Sequence, residues 1–270
     1  MSEAVTLLID AHVHLYPGYD LDRAFRKGVE NLIQGFERPG GRIPPDTVAV
    51  WLLTERHDCR FFDEITESPD VFGRPDREVR MGREPGAVLI RQKDLPDLYL
   101  LAGRQFVSKE GLEVLALTGW EKYPERSYST ADLIGKIRAC GAAPVLNWAP
   151  GKWFFTRGRV VRRLIRKAEL SDFLIGDTPL RHVLWPRPGL MRLAVRKGLR
   201  TAAGSDPLPF KGEEFMIGTY GNTARGAFDP KKPVTSVRRI LNDPETLLRI
   251  IGQRNDPFRF VWREARILLK

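Results

Sequence analysis

Cysteine is scarce in this chain: the 270 residues include two cysteines, Cys59 and Cys140, which lie far apart in the sequence. Such a pair indicates neither a disulfide framework nor a cysteine-based metal cluster. The chain also lacks an apolar run of about 20 residues, the length that a membrane-spanning helix requires. No basic segment of the kind that opens a secretory signal peptide precedes residue 7. We therefore expect a cytoplasmic protein without a membrane span.

The chain is long and apolar enough to form a full core, since hydrophobic residues make up 42% of it. No linker or internal repeat divides it, so we expect one domain over residues 1–270. Residues 63–110 begin with a stretch rich in charge, proline and glycine, and continue with two apolar runs, 87–92 and 99–106. This segment predicts an inserted loop and hairpin that could cover a site. Residues 242–270 are expected to form helices that close the domain.

Lysine and arginine outnumber the acidic residues by 44 to 34, which gives a net charge of +10. An excess of this kind occurs in proteins that bind nucleic acid or phosphate, and also on ordinary solvated surfaces. The densest basic run, residues 157–167, carries apolar residues at helical spacing on its other side. We interpret the run as the solvent-facing side of a docked helix. An electropositive rim for an anionic substrate is the alternative.

Short apolar runs alternate with amphipathic helices along the chain. The pattern predicts buried strands at 5–9, 47–53, 112–117, 144–148, 172–175 and 199–203. Between them, Ser129 and Asp132 form a capping box that begins a helix, and Gly141 is expected to end it. Alternation of strands and helices indicates parallel strands with helical crossovers. Because polar side chains follow several of these strands, the pattern favours a closed α/β barrel over an open sheet.

The most informative run is 7–14, an apolar strand that ends in Asp-x-His-x-His. Alternate side chains of a strand face the same side, so His12 and His14 point together. Neutral imidazole is a common ligand of metal ions, and two such rings form half of a site. Two solvated or core-edge histidines are the alternative. The chain has only four histidines, so a chance pair at this spacing is the weaker explanation.

Other predicted strand ends add further donors. The predicted metal ligands are His12, His14, His57, Glu121 and Asp206. A mixed nitrogen and oxygen set of this kind suits zinc, manganese or iron. Asp206 could coordinate the metal or take the proton from an attacking water. Asp58 could orient His57, so that His57, Asp58 and Asp206 are the candidate catalytic residues.

Four motifs in this order resemble those of the PHP family of metal-dependent phosphoesterases, which is named for polymerase and histidinol phosphatase. The matching segments are His12-Val13-His14, Glu55-Arg56-His57-Asp58, Gly119-Trp120-Glu121 and Gly204-Ser205-Asp206-Pro207-Leu208. The resemblance extends from about residue 8 to residue 220. It implies a distorted TIM-like (β/α)7 barrel of about seven strand-helix units and a divalent metal centre.

The chain departs from the family pattern at two of its ligand positions. Asn147-Trp148 stands where the family has His-Pro, and Leu208 stands where it has its final histidine. Two ligands of the usual trinuclear site are therefore missing, although Asp177 or His182 could supply another. The resemblance thus implies one or two metal ions, or a site that has lost its metal.

Four residues are candidates for contact with substrate: Arg56, Trp148, Lys152 and His182. Lys152 follows a predicted strand and lies in sequence near two tryptophans, which suits a phosphate or a planar group. A surface turn explains the same pattern equally well. Arg56 could meet an anion or pair with Glu55, and His182 could be structural.

The predicted site indicates a metal-dependent hydrolase that uses metal-activated water, with phosphate esters favoured as substrates. An amidohydrolase-type reaction on a C–N bond is an alternative from the same donor set. A second alternative is a degenerate, non-catalytic PHP-like domain that binds a partner or nucleic acid through its basic surface. The presence of five candidate donors together favours catalysis on a small anionic substrate.

Overall fold

The computed structural model describes residues 3–268 and shows a mixed α/β fold. The strands are β1 (Glu3–Val13), β2 (Thr47–Leu53), β3 (Arg77–Met81), β4 (Ala87–Gln92), β5 (Leu98–Leu101), β6 (Arg104–Val107), β7 (Glu113–Leu117), β8 (Ala143–Asn147), β9 (Leu174–Asp177), β10 (Thr201–Ala203), β11 (Tyr220–Phe228) and β12 (Arg249–Gly252). The α-helices are α1 (Leu21–Glu37), α2 (Phe61–Glu67), α3 (Thr130–Ala139), α4 (Phe155–Lys167), α5 (Gly189–Arg196), α6 (Pro233–Asn242) and α7 (Pro257–Leu268). Short 3-10 helices cover Pro69–Phe72 and Glu213–Met216.

The strands form two mixed sheets. The seven-stranded sheet has the order β12-β11-β1-β2-β5-β4-β3, and the five-stranded sheet has the order β10-β9-β8-β7-β6. In the first sheet β1, β2 and β5 run parallel, whereas the strands outside them pair antiparallel. In the second sheet β8, β9 and β10 run parallel, and β7 runs antiparallel to both of its neighbours.

The sequence predicts a distorted TIM-like (β/α)7 barrel, and this prediction is wrong. Residues 3–268 form two separate mixed sheets and no closed barrel. The physical reason lies in short connections, since residues 93–97 join β4 to β5 and residues 108–112 join β6 to β7. A crossover between parallel strands needs a dozen or more residues, so connections of this length reverse the chain direction. The predicted strands all occur, but β12 also forms within 242–270, where only helices were expected.

The two sheets pack face to face around one apolar layer. Side chains of both sheets meet in this layer, among them Leu7, Ile9, Val50, Leu52, Leu115, Leu117 and Val145, and α6 adds Val234, Val237 and Ile240. On the outer side of the seven-stranded sheet, α1 buries Phe25, Val29 and Leu32. Helices α3, α4 and α5 cover the outer side of the five-stranded sheet. The architecture is therefore helix, sheet, sheet, helix.

Hydrogen bonds between the sheets bring the carboxyl ends of β1 and β10 together. The Asp206 N–H, just beyond β10, donates to the carbonyl of His12 at 2.9 Å. On the other side, Glu55 and Arg104 form an isolated parallel bridge between the end of β2 and the start of β6. The residues that follow these strands consequently lie at one edge of the molecule.

The helices within residues 3–268 include none that combines the length and the apolar character needed to cross a lipid bilayer.

Gly204 allows β10 to approach β1, because a Cβ atom there would lie 2.3 Å from the His12 backbone nitrogen. We expect Gly204→Ala to lower the free energy of unfolding by about 2–3 kcal/mol through overpacking. Gly135→Ala is the matched control, since Gly135 lies within α3 and a Cβ there meets nothing within 4 Å. That variant should be stabilised by up to about 1 kcal/mol. Urea unfolding measures both, and equal stability of the two variants would contradict the close approach.

Candidate metal centre

The site begins where β1 departs from regular geometry. Asp10 pairs with Trp51 and Val13 pairs with Leu53, so β1 holds one more residue than β2 across this interval. An extra residue of this kind is a β-bulge, which re-aims the side chains that follow it. The rings of His12 and His14 are both buried, and their Nε2 atoms lie 3.0 Å apart. The bulge therefore places the two imidazole Nε2 atoms side by side.

Asp206 completes a group that we call the His12–His14–Asp206 cluster. Its Oδ1 lies 3.5 Å from His12 Nε2 and 3.7 Å from His14 Nε2. The backbone of Asp206 has a φ of +48°, a left-handed conformation that costs a non-glycine residue of order 1–3 kcal/mol. The side chain is 13% exposed, whereas the two histidines are 3% and 4% exposed. The cluster is thus closed on the histidine side and reachable from the Asp206 side.

Gln105 supplies a further oxygen beside the cluster. It lies in β6, and its Oε1 is 3.2 Å from His12 Nε2. The sequence does not mark it as a site residue, because one glutamine in a short strand carries no recognisable signal. Its position depends on how the five-stranded sheet meets β1.

Asp10 holds the backbone of the site in place. Its carboxylate accepts hydrogen bonds from the backbone N–H groups of His12 at 3.1 Å, Ser205 at 2.9 Å and Gly218 at 2.8 Å. Burial raises the pKa of Asp10 to about 6, and these hydrogen bonds oppose the rise. At neutral pH the carboxylate therefore ties β1 to the turn that carries Asp206. The sequence shows this residue only as an acid within an apolar strand.

Arg263 holds the same turn from the opposite side. It is fully buried, and it donates to the Asp206 carbonyl at 2.8 Å and to a Glu213 carboxylate oxygen at 2.7 Å. Glu213 provides the opposite charge that a buried guanidinium needs. Helix α7 therefore takes part in shaping the site through one arginine, which sequence reasoning did not single out.

The His14 ring is in the form that binds metal ions. Burial, followed by the proximity of His12, lowers the pKa of His14 to about 3, so this ring is neutral at physiological pH. Two nitrogens that each lie ~2.1 Å from a tetrahedral zinc ion are separated by about 3.4 Å, and the two Nε2 atoms here lie 3.0 Å apart. Among the described residues, neither ring has a hydrogen-bond partner at Nδ1. Ring contacts orient them instead, at centroid distances of 4.9 Å between the two and 5.6 Å from His14 to Tyr16. The donor set fits a divalent cation.

The structure does not bring the other predicted ligands into the cluster. His57 and Asp58 are exposed, and Asp58 pairs with Arg56 at 2.9 Å. Glu121 is also exposed, and it follows β7, whose end lies beside the start of β8. Because β7 is antiparallel to β8, Glu121 lies at the opposite edge of that sheet from Asn147. Metal-binding roles for His57 and Glu121 stay predictions.

Asp177, considered as a further ligand, is buried and already has partners. Its Oδ1 accepts from Arg181 Nε at 2.9 Å, and its Oδ2 accepts from the Tyr220 hydroxyl at 2.9 Å. An ion pair with Arg181 of this kind neutralises the carboxylate inside the protein. Asp177 thus serves as a structural anion at the end of β9.

The candidate substrate contacts occupy three different settings. Arg56 is half-buried and close enough to His14 to contribute to the lowering of its pKa. Lys152 lies 3.6 Å from a Glu113 carboxylate oxygen. Trp148 is buried and packs edge-on against Trp185, and the His182 ring lies 5.7 Å from the same tryptophan. Of the four, Arg56 is the one whose charge acts on a residue of the cluster.

No protein-family profile matches the chain, and no curated protein sequence matches it significantly. Solved structures that resemble it include PsfC from Pseudomonas syringae PB-5123, with 14% identity and a TM-score of 0.57 over 99% of both chains. Another is a two-domain protein from Bacteroides vulgatus ATCC 8482 that contains a predicted PHP-like metal-dependent phosphoesterase, with 11% identity and a TM-score of 0.43. That match covers 92% of this chain and 65% of the Bacteroides chain. The PsfC likeness shows a shared fold, and the second likeness is too low to support a conclusion.

Asp10→Asn replaces one acceptor oxygen with an NH2 donor that faces a backbone N–H. We expect the free energy of unfolding to fall by about 1–3 kcal/mol at neutral pH, because a buried donor loses its acceptor. Asp20→Asn is the control, since Asp20 caps α1 and asparagine caps helices equally well. Chemical denaturation in the presence of a chelator measures both variants. Equal stability of Asp10→Asn and the wild type would show that the three backbone contacts do not hold the turn.

Proposed function

We propose that the protein is a metal-dependent hydrolase and that the His12–His14–Asp206 cluster holds its divalent cation. The observation that carries this proposal is the convergence of three donor side chains, whose ligand atoms lie within 4.8 Å of one another. Two neutral imidazoles and one carboxylate form a common ligand set of catalytic metal sites, which keep a position for water or substrate. Zinc, manganese and iron all accept these donors.

A divalent cation in such a site supplies Lewis acidity, which polarises a phosphoryl or carbonyl oxygen and makes a bound water more acidic. His12 and His14 would hold the cation through Nε2. Asp206 has two carboxylate oxygens, so one can coordinate while the other accepts a proton from the attacking water. Asp206 is the most exposed of the three side chains, so a substrate would approach the cluster from its side.

Phosphate esters are the favoured substrate class. The Arg56 charge acts on His14, and a guanidinium near the cluster would stabilise the charge of a phosphoryl group. A neutral amide would gain less from this arginine, so C–N hydrolysis is the less favoured reaction. The order of the His-x-His, His-Asp, Gly-x-Glu and Gly-Ser-Asp motifs supports a distant PHP-like relationship. The cluster as it stands offers donors for one cation.

Replacing a cluster residue should abolish metal binding. We expect His14→Ala and Asp206→Ala each to lower zinc or manganese affinity at least about 100-fold, since even an outer partner of a metal ligand contributes about 10–100-fold. Elemental analysis and isothermal titration of chelator-treated protein measure the effect, and turnover of bis(p-nitrophenyl) phosphate tests the reaction.

His57→Ala separates the two possible ligand sets. The cluster predicts that this variant keeps its metal, because His57 is exposed and outside the group. Loss of metal in His57→Ala would support the larger set of five ligands. Full metal content in His14→Ala, with the fold intact by circular dichroism, would contradict the proposed centre.

Gln105→Leu should lower metal affinity by about tenfold while the fold is retained, because the Gln105 amide oxygen lies beside the His12 nitrogen. Gln34→Leu is the matched control, since Gln34 is exposed on α1. Isothermal titration with zinc measures both. Unchanged affinity in Gln105→Leu would show that the amide plays no part in holding the cation.

A further inference from the structure

A groove runs between α4 and α5 on the outer side of the five-stranded sheet. Its volume is about 580 Å³, and its lining includes Trp153, Leu190 and Leu193 at the bottom. On α4, Gly158 lies against the Trp153 carbonyl, where a Cβ atom would be 2.7 Å away, and the same Cβ would lie 3.8 Å from the Leu190 side chain of α5. The groove lies outside the His12–His14–Asp206 cluster, so its role is independent of the proposed reaction.

Arginines line the walls of this groove. Arg159, Arg162 and Arg166 follow one another at spacings of three and four residues, so they form a row along ~10 Å of α4. Arg196 faces the groove from α5. Within residues 3–268 none of these four guanidinium groups pairs with a carboxylate. The row is therefore an uncompensated positive surface.

The sequence around the groove also lacks acidic residues. None occurs in α4, over residues 155–167, and none occurs over residues 178–205, which include α5. Ordinary solvated helices intersperse charges of both signs. A long basic surface without acids attracts an anionic chain.

Two phenylalanines stand at one end of the arginine row. Phe155 is 93% exposed and Phe154 is 48% exposed, and their rings lie 6.5 Å apart. Phe155 has a φ of +52°, so the backbone holds an aromatic residue in a left-handed conformation that it rarely adopts. Both rings are exposed, so packing in the core does not account for phenylalanine at these two positions. They offer flat apolar faces beside the cationic row.

We propose that this groove binds single-stranded nucleic acid. Guanidinium groups contact phosphates, and exposed aromatic faces stack on unpaired bases, which is the combination that single-strand binding requires. An acidic peptide would satisfy the arginines but has no bases for the phenylalanines. A flat anionic membrane would contact the phenylalanines but not arginines that line a concave groove. The groove therefore fits a flexible polyanion with planar groups.

Fluorescence anisotropy with a labelled oligothymidylate of about 20 nucleotides, longer than typical single-strand sites, tests the proposal. Arg159→Gln, Arg162→Gln and Arg166→Gln together should weaken binding about tenfold or more, and should make the slope of log affinity against log salt shallower by about 2. Phe154→Ala with Phe155→Ala should weaken binding about tenfold and leave the salt slope unchanged, because stacking is not ionic.

A matched control removes three positive charges elsewhere: Arg42→Gln, Lys231→Gln and Arg249→Gln, all exposed and outside the groove. This variant should bind almost as the wild type does, and an equal loss would overturn the proposal in favour of general charge attraction. Stronger binding to phosphatidylserine vesicles or to polyglutamate than to the oligonucleotide would also overturn it, as would absence of oligonucleotide binding at low salt. Thermal unfolding of each variant confirms that the fold is retained.

Discussion

The buried carboxylate of Asp10 is the contact on which the arrangement of the site depends. It accepts hydrogen bonds from the N–H groups of His12, in the same strand, and of Ser205 and Gly218, which lie 195 and 208 residues further along the chain. A carboxylate in apolar surroundings is strongly destabilising unless it is hydrogen-bonded, and here three donors meet it. The strand that carries the histidines and the turn that carries Asp206 are therefore fixed by the same group.

Chain direction in the five-stranded sheet decides which side chains lie at the edge where β8, β9 and β10 end. Since β7 runs opposite to β8, the start of β7 lies at the edge where β8 ends. Glu113 consequently accepts from Asn147 Nδ2 at 3.1 Å and pairs with Lys152. Glu121 lies beyond the other end of β7, at the opposite edge of the sheet. Because β7 is reversed, Glu113 and not Glu121 lies at the edge where β8 ends.

The sequence predicts the strands that are short apolar runs, such as β1, β2 and β8, because such runs report burial directly, but it does not predict β3, β11 or β12. It also identifies His12, His14 and Asp206, whose residue types and positions after strands carry the signal. It wrongly predicts a barrel of parallel strands. The connections 93–97 and 108–112 are too short for a crossover, so the strands that follow them reverse direction, and the apolar pattern of a strand does not report its direction. Gln105 and Arg263 could not be found, since their roles depend on contacts between remote elements.

The hydrogen bond from Arg263 to the Asp206 carbonyl links the turn after β10 to a helix that is synthesised later. The cluster residues His12 and His14 lie in β1, whereas α7 comes after every other described element. A ribosome releases these segments in order, so the turn that presents Asp206 waits for α7 to emerge before Arg263 can secure it. The turn beside the His12–His14–Asp206 cluster is thus secured late in synthesis, after the segments that form both sheets have left the ribosome.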